Sequence, residues 1–211
     1  PRAAPPVLTL HSGLLPNFLS LGSGRRRLAR AVCAGFGQVF TVNRLLETAL
    51  LDAGVDSRRV SVAAAASGPL VAGPPPAALA ELSARARPLV ACALAPSAIY
   101  GARPLVASLP VLAARLPQIG LALFGPGSFA GLRALASRLG VEERIAFLGE
   151  LGRADALGTL GACDLFLRPS LADGDALSVR EALALGKPVV ASDVGVRPEG
   201  VQLYRLGDPL A

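Results

Sequence analysis

Short apolar runs alternate with helix-like stretches along the whole chain, and that alternation leaves few folds open. Residues 7–11, 39–42, 59–63, 89–94, 119–124, 144–148, 164–167 and 189–191 read as strands. Residues 25–35, 44–53, 103–115, 128–139, 153–160 and 176–185 carry helical spacing between them. Asn43 can cap the helix that follows it, and Gly54 and Gly140 stand where helices stop. A repeated strand–helix unit predicts an α/β chain: a Rossmann-like parallel sheet with helices on both faces and right-handed crossovers. The Gly- and Pro-rich stretch 67–76 is the best break, so a smaller N-terminal region, 1–70, and a larger one, 88–211, are expected, with 71–87 as linker.

Composition narrows the chemistry. The chain has 211 residues, 52% of them apolar and only 4% aromatic, which suits a core of small aliphatic layers. A net charge of +6 favours anionic partners. Part of it is local: Arg25, Arg26, Arg27 and Arg30 form a basic helical face beside Leu28, Ala31 and Val32, a solvated surface or a contact with a membrane face. No aromatic-plus-basic motif accompanies it, so nucleic acid is not an expected partner. One His and three widely spaced Cys give no metal-ligand pattern, and the thiols read as buried and free in a reducing, cytoplasmic setting. The uncharged run 60–80 is broken by prolines and makes a poor membrane span. With no Met at all and no visible signal peptide, the chain reads as processed or partial.

The chemistry concentrates in residues 169–188, P-S-L-A-D-G-D-A-L-S-V-R-E-A-L-A-L-G-K-P. An apolar run precedes it and another follows, so a strand-to-helix turn sits between two acids, Asp173 and Glu181. In an open parallel sheet such a turn lies at the carboxyl end of a strand, where ligands bind. The start of a helix offers unpaired amides suited to phosphate. Carboxylates beside an anion-ready turn suit a ligand with both phosphates and hydroxyls, such as a sugar nucleotide. Read alone, Asp173 could instead cap the helix and Glu181 could pair with Arg180 or Lys187.

The segment resembles the signature of retaining glycosyltransferases of family 4, which have the GT-B fold. Pro169, Ser170, Gly174, Glu181, Ala182, Ala184, Gly186, Pro188, Val189 and Val190 fall in place, and the match runs on through Arg197-Pro198-Glu199-Gly200. Asp173 replaces the usual first Glu, and Asp175 and Ala176 replace an aromatic and a Gly. The resemblance makes 88–211 a nucleotide-sugar-binding domain and 1–66 the last part of an acceptor-side domain, without its opening strands and Gly-rich loop. It implies that Asp173 and His11 meet the donor sugar and Glu181 the ribose, so these three form the candidate catalytic set. Gly174, Asp175, Ala176 and Leu177 would face the sugar or diphosphate, although the Asp175 carboxylate would repel the latter. Gly125 and Gly127 would lie near the nucleotide, and Gly149 and Glu150 near the base. In the loop 94–101 the family's phosphate-clamping Arg and Lys are missing. Tyr100, before Gly101, holds the Lys position, which leaves Arg103 and Arg168 as candidates to supply the charge.

The activity implied is transfer of a hexose from a nucleoside diphosphate sugar to a sugar or lipid-linked hydroxyl acceptor, in polysaccharide or glycolipid synthesis, with neither metal nor cofactor. A non-catalytic nucleotide-sugar-binding module is the alternative. A third reading is an NAD(P)-binding Rossmann domain, from Gly125-x-Gly127-x-x-x-Gly131 with Glu150 about one strand–helix unit later.

Overall fold

The computed structural model describes residues 4–66 and 68–207. They form two compact units. The first comprises residues 4–66 with Ala172–Leu177 and Val194–Arg197; the second comprises 68–171, Ser178–Asp193 and 198–207.

The first unit holds a three-stranded sheet in the order β1 (Val7–Leu10), β2 (Gln38–Thr41), β3 (Val60–Val62), parallel throughout. Its helices are α1 (Leu15–Ser20), α2 (Ser23–Ala34) and α3 (Arg44–Asp52). Asn43 caps α3 as expected, its Oδ1 accepting from the Leu46 amide at 2.9 Å. Leu19, Cys33, Val39, Leu50, Val55 and Val60 make the core. Short α1 was not legible, because Leu-Pro-Asn-Phe-Leu-Ser shows less than two turns of any period. Residue 59, read as strand, closes a 3₁₀ turn, Ser57–Arg59, which Asp56 caps.

The second unit is a six-stranded parallel sheet in the order β6-β5-β4-β7-β8-β9. Its strands are β4 (Leu89–Ala93), β5 (Gly120–Phe124), β6 (Ile145–Gly149), β7 (Leu165–Arg168), β8 (Val189–Ser192) and β9 (Val201–Tyr204). Its helices are α4 (Ala77–Arg85), α5 (Ala102–Arg115), α6 (Ala130–Arg138), α7 (Arg153–Ala162) and α8 (Leu177–Ala184). Every residue of β5 is buried, the mark of a parallel strand covered on both faces. Leu105, Val106, Leu109, Leu121, Leu123, Leu132 and Ile145 are among the side chains that fill its core.

Residues 71–87 contain α4, whose Leu79 and Leu82 are buried one turn apart. Edge strand β9 lacked a sequence signal, because Val-Gln-Leu-Tyr keeps its two middle residues exposed. From β4 the chain steps outward to β5 and β6, then returns to β4's other side for β7, β8 and β9. The topological switch point, where loops leave toward opposite faces of the sheet, therefore lies at the carboxyl ends of β4 and β7.

Among the described residues no helix is long and apolar enough to cross a membrane. Arg25, Arg26, Arg27 and Arg30 are exposed on α2, as are Leu28 and Val32, and the Arg25 guanidinium stacks 5.0 Å from the Phe18 ring centroid. Cys33, Cys92 and Cys163 are free and buried. Burial raises all three thiols above their ordinary value of 9.0, and Cys163 is pushed up to about 12. They therefore stay protonated near neutrality, and a thiol reagent at pH 8 should find none in the native chain and three after denaturation. Stability should also fall in alkali. An unfolded Cys163 loses its proton near 9.0 and the folded one only near 12, so the folded state holds the extra proton in that window. Unfolding free energy then drops by up to about 1.4 kcal/mol per pH unit for this thiol, a slope that Cys163→Ala should remove.

Candidate functional site

The second unit carries a cleft at its switch point. A cavity of about 320 Å³ is lined by the ends of β4 and β5 (Ala93, Leu94, Phe124, Gly125, Pro126), the loop after β6 (Glu150, Leu151), Tyr100 and Arg168. Its size is at the lower end of small-ligand sites. Arg168 ends β7 and its guanidinium lies 5.0 Å from the Tyr100 ring centroid, donating to the Ala93 carbonyl at 2.6 Å. One strand end thus supplies the cation, another the acceptor that orients it, and the loop after β4 the aromatic face beneath it. Arg168 is almost wholly buried, at 8% exposure. Arg103 is exposed on α5 and lines a separate cavity with Pro96, Ser97 and Ser128. Of the two candidate replacement cations, the structure brings Arg168 to the cleft.

The backbone around the cleft is built for close approach. Gly101, between the 3₁₀ turn Ala98–Tyr100 and α5, has φ 67°, and a Cβ there would run into the Pro169 carbonyl. Leu171 donates its amide to the Ile99 carbonyl at 2.7 Å, so the loops after β4 and β7 are tied to each other. The Gly125 amide donates to the Gly149 carbonyl at 2.8 Å, joining the turns after β5 and β6. Gly127 is exposed beyond that turn.

Glu181 is a buried carboxylate on α8, 9% exposed, and it is ion-paired with Arg153, the first residue of α7. A second guanidinium nitrogen of Arg153 lies 3.4 Å from the Gly68 carbonyl. Sequence reading had considered Arg180 and Lys187 as partners for Glu181 and did not name Arg153.

Asp173, Gly174, Asp175, Ala176 and His11 belong to the first unit. His11 is exposed just after β1. A Cβ on Gly174 would run into the His11 carbonyl, and one on Gly13 or Gly195 would run into the Asp173 backbone. The Val196 amide donates to the Gly174 carbonyl at 3.0 Å, and Asp175 and Val196 form a parallel bridge. The structure therefore does gather His11 with the acidic turn. It also shows a partner that sequence reading missed: Arg197 donates to Asp173 at 3.0 Å, with side-chain exposures of 4% and 10%. The Asp173 carboxylate is thus held by a buried guanidinium. Linear order carries no sign of a pair 24 residues apart, although the matched segment around Arg197 had marked the residue itself.

The family model described as glycosyl transferases group 1 matches residues 85–209. A D-inositol 3-phosphate glycosyltransferase from Mycobacterium sp. (strain KMS) is 38% identical over 96 residues, 43% of this chain and 22% of that protein. A GDP-mannose-dependent alpha-(1-6)-phosphatidylinositol monomannoside mannosyltransferase from Mycobacterium tuberculosis (strain CDC 1551 / Oshkosh) is 32% identical over 146 residues, 64% of this chain and 38% of that protein. The chain therefore spans well under half the length of either relative. Anabaena Alr3699/HepE, solved in complex with UDP-glucose, superposes with a TM-score of 0.75 at 26% identity, covering 96% of this chain and 59% of that one. The dinucleotide reading of Gly125 and Gly127 gives way, since both fall inside the matched stretch. The chain belongs to the group 1 glycosyl transferases, of the GT-B type.

Proposed function

We propose that this chain is the donor-binding part of a retaining glycosyltransferase of family 4 that moves a hexose from a nucleoside diphosphate sugar to a hydroxyl on a sugar or lipid-linked acceptor. The observation that carries the reading is Arg168, stacked on Tyr100 and bonded to Ala93 at the switch point. It puts a fixed positive charge where the family's usual loop cations are missing. The naming of HepE with UDP-glucose and of a relative with GDP-mannose supports a nucleotide sugar as the co-substrate. No other cofactor enters the reading.

In the proposed reaction the bond from the anomeric carbon to the diphosphate oxygen breaks, and its electron pair leaves with the diphosphate. The acceptor oxygen attacks from the same face, and its proton passes to the departing diphosphate oxygen. Charge grows on the leaving group, so a preorganised guanidinium helps more in the transition state than in the ground state. Glu181 would accept the ribose hydroxyls, and Asp173 and His11 would meet the sugar. Backbone groups at Gly149 and Glu150 would read the base. The exposed Arg25–Arg27 and Arg30 face with Leu28 and Val32 fits a cytoplasmic enzyme resting on an anionic membrane where a glycolipid or polysaccharide is made.

Calorimetric titration with UDP, GDP, ADP and NAD tests the reading. One nucleoside diphosphate should bind, and the Asp173→Asn, Glu181→Gln double variant should lose it. Binding of NAD alone would overturn the proposal. Turnover of the matching sugar donor then separates a catalyst from a binding module.

A further inference from the structure

We infer that the second unit holds a further anion site, at the opposite end of its sheet from the cleft, which takes a small hydroxylated phosphate monoester of the sugar-phosphate kind. A cavity of about 370 Å³ opens there between the end of α4, residues 117–119 and the 3₁₀ turn Glu142–Arg144. The last two lead into the amino ends of β5 and β6, whereas the cleft lies at the carboxyl ends. A five-residue strand keeps the two about 16 Å apart. Leu82, Ala86 and Ile119 are buried and give the cavity an apolar floor. The floor is fixed by Gly120, where a Cβ would run into Ala86 and Leu82.

Two guanidinium groups from distant parts of the chain line this cavity. Arg85, the last residue of α4, donates to the Glu143 carbonyl at 2.6 Å, and Arg144 donates to the Pro117 carbonyl at 2.7 Å. Among the described residues neither is ion-paired. A guanidinium has five N–H groups, and each of these commits a single nitrogen to backbone carbonyls. Both are therefore aimed by the fold and keep donors for a ligand. Two such forks on separate loops suit the several oxygens of one phosphate. The Glu143 side chain also lines the cavity, which leaves a local surplus of one positive charge. That surplus suits one phosphate and disfavours a diphosphate. Glu143 and Gln118 remain to meet hydroxyls, and a wider groove of about 970 Å³ shares Arg85 and Glu143 with the cavity and has room for the sugar. The inference does not depend on the donor reading.

The experiment titrates the 211-residue chain calorimetrically, in phosphate-free buffer, with glucose 6-phosphate, inorganic phosphate and glucose. Glucose 6-phosphate should bind at one site and more tightly than inorganic phosphate, and glucose should not bind there. Arg85→Gln and Arg144→Gln should each weaken the ester by about tenfold or more, as expected when a hydrogen bond between charged groups is lost. Glu143→Gln removes a like charge and should tighten the ester by up to about fivefold. Arginines that only pin loops would lower the melting temperature and give no such gain. If Arg144→Gln does not fold, Arg85→Gln, at an exposed helix end, and Glu143→Gln decide the matter. Saturating UDP or GDP and the Arg168→Leu variant should leave ester affinity unchanged, because both act at the far end of the sheet. Absence of ester binding overturns the inference, as does binding that Arg85→Gln does not weaken. Binding abolished by UDP, by GDP or by Arg168→Leu overturns it too, since the ester would then sit in the cleft. Inorganic phosphate that binds as tightly as the ester overturns the sugar-phosphate assignment. A chain that binds glucose 6-phosphate but neither UDP nor GDP supports the inference and removes the donor reading.

Discussion

Replacing Arg197 with methionine should lower the unfolding free energy by about 3–5 kcal/mol, the usual cost of leaving one member of a buried ion pair alone. The Arg197 side chain is 4% exposed and the Asp173 side chain 10%, so little water reaches the carboxylate that remains. The turn that bears Asp173 also has no slack: Gly13, Gly174 and Gly195 already put backbone against backbone around it. An Asp173→Asn variant should lose less, since an amide still accepts from Arg197. The double variant Asp173→Leu, Arg197→Met should recover part of the loss, because no charge stays behind. Denaturant unfolding of the four chains gives the answer. A loss below about 1 kcal/mol for Arg197→Met would mean that the turn opens to water and that the pair does not hold it.

Arg168→Leu should cut donor turnover by about 10²–10³-fold, the range found when one preorganised charge-stabilising donor is removed. The loss should follow the phosphates. Affinity for the nucleoside diphosphate should fall while that for the parent nucleoside stays the same, because the base and ribose do not depend on the guanidinium. Arg168→Lys should recover only part of the effect, since a compact ammonium cannot stack flat on Tyr100 while donating to Ala93. Tyr100→Leu should fall between wild type and Arg168→Leu. Equal affinity of wild type and Arg168→Leu for the diphosphate would remove Arg168 from the site and with it the main support for the donor reading.

The sheet was legible because its strands are short apolar runs with clear ends: residues 89–92 and Gly120–Phe124 lie buried where the pattern put them. Asn43 and Gly140 signalled a helix start and stop through local chemistry, and local chemistry is what sequence carries best. Short α1, proline-led α4 and edge strand β9 escaped because each is fixed by neighbours more than by its own period. The acids of the candidate site were visible in one contiguous segment. Their arginines were not: Arg197 and Arg153 stand 24 and 28 residues from the carboxylates they hold, and only the fold brings them near. Arg168 was named as one of two replacement cations, and the choice between them needed the strand order, which puts the end of β7 beside β4.

The packing around Asp173 also limits how such a chain can be recombined. Gly13 comes from the loop after β1, Gly174 from the acidic turn and Gly195 from the loop after β8, and each comes close to another backbone with no room for a single carbon. A hybrid that joins 88–211 to a foreign N-terminal half would meet this requirement only if the incoming half brought a residue without a side chain opposite position 173. Exchange of halves between relatives is therefore restricted by one hydrogen atom at position 13, a filter that overall similarity of the halves would not reveal.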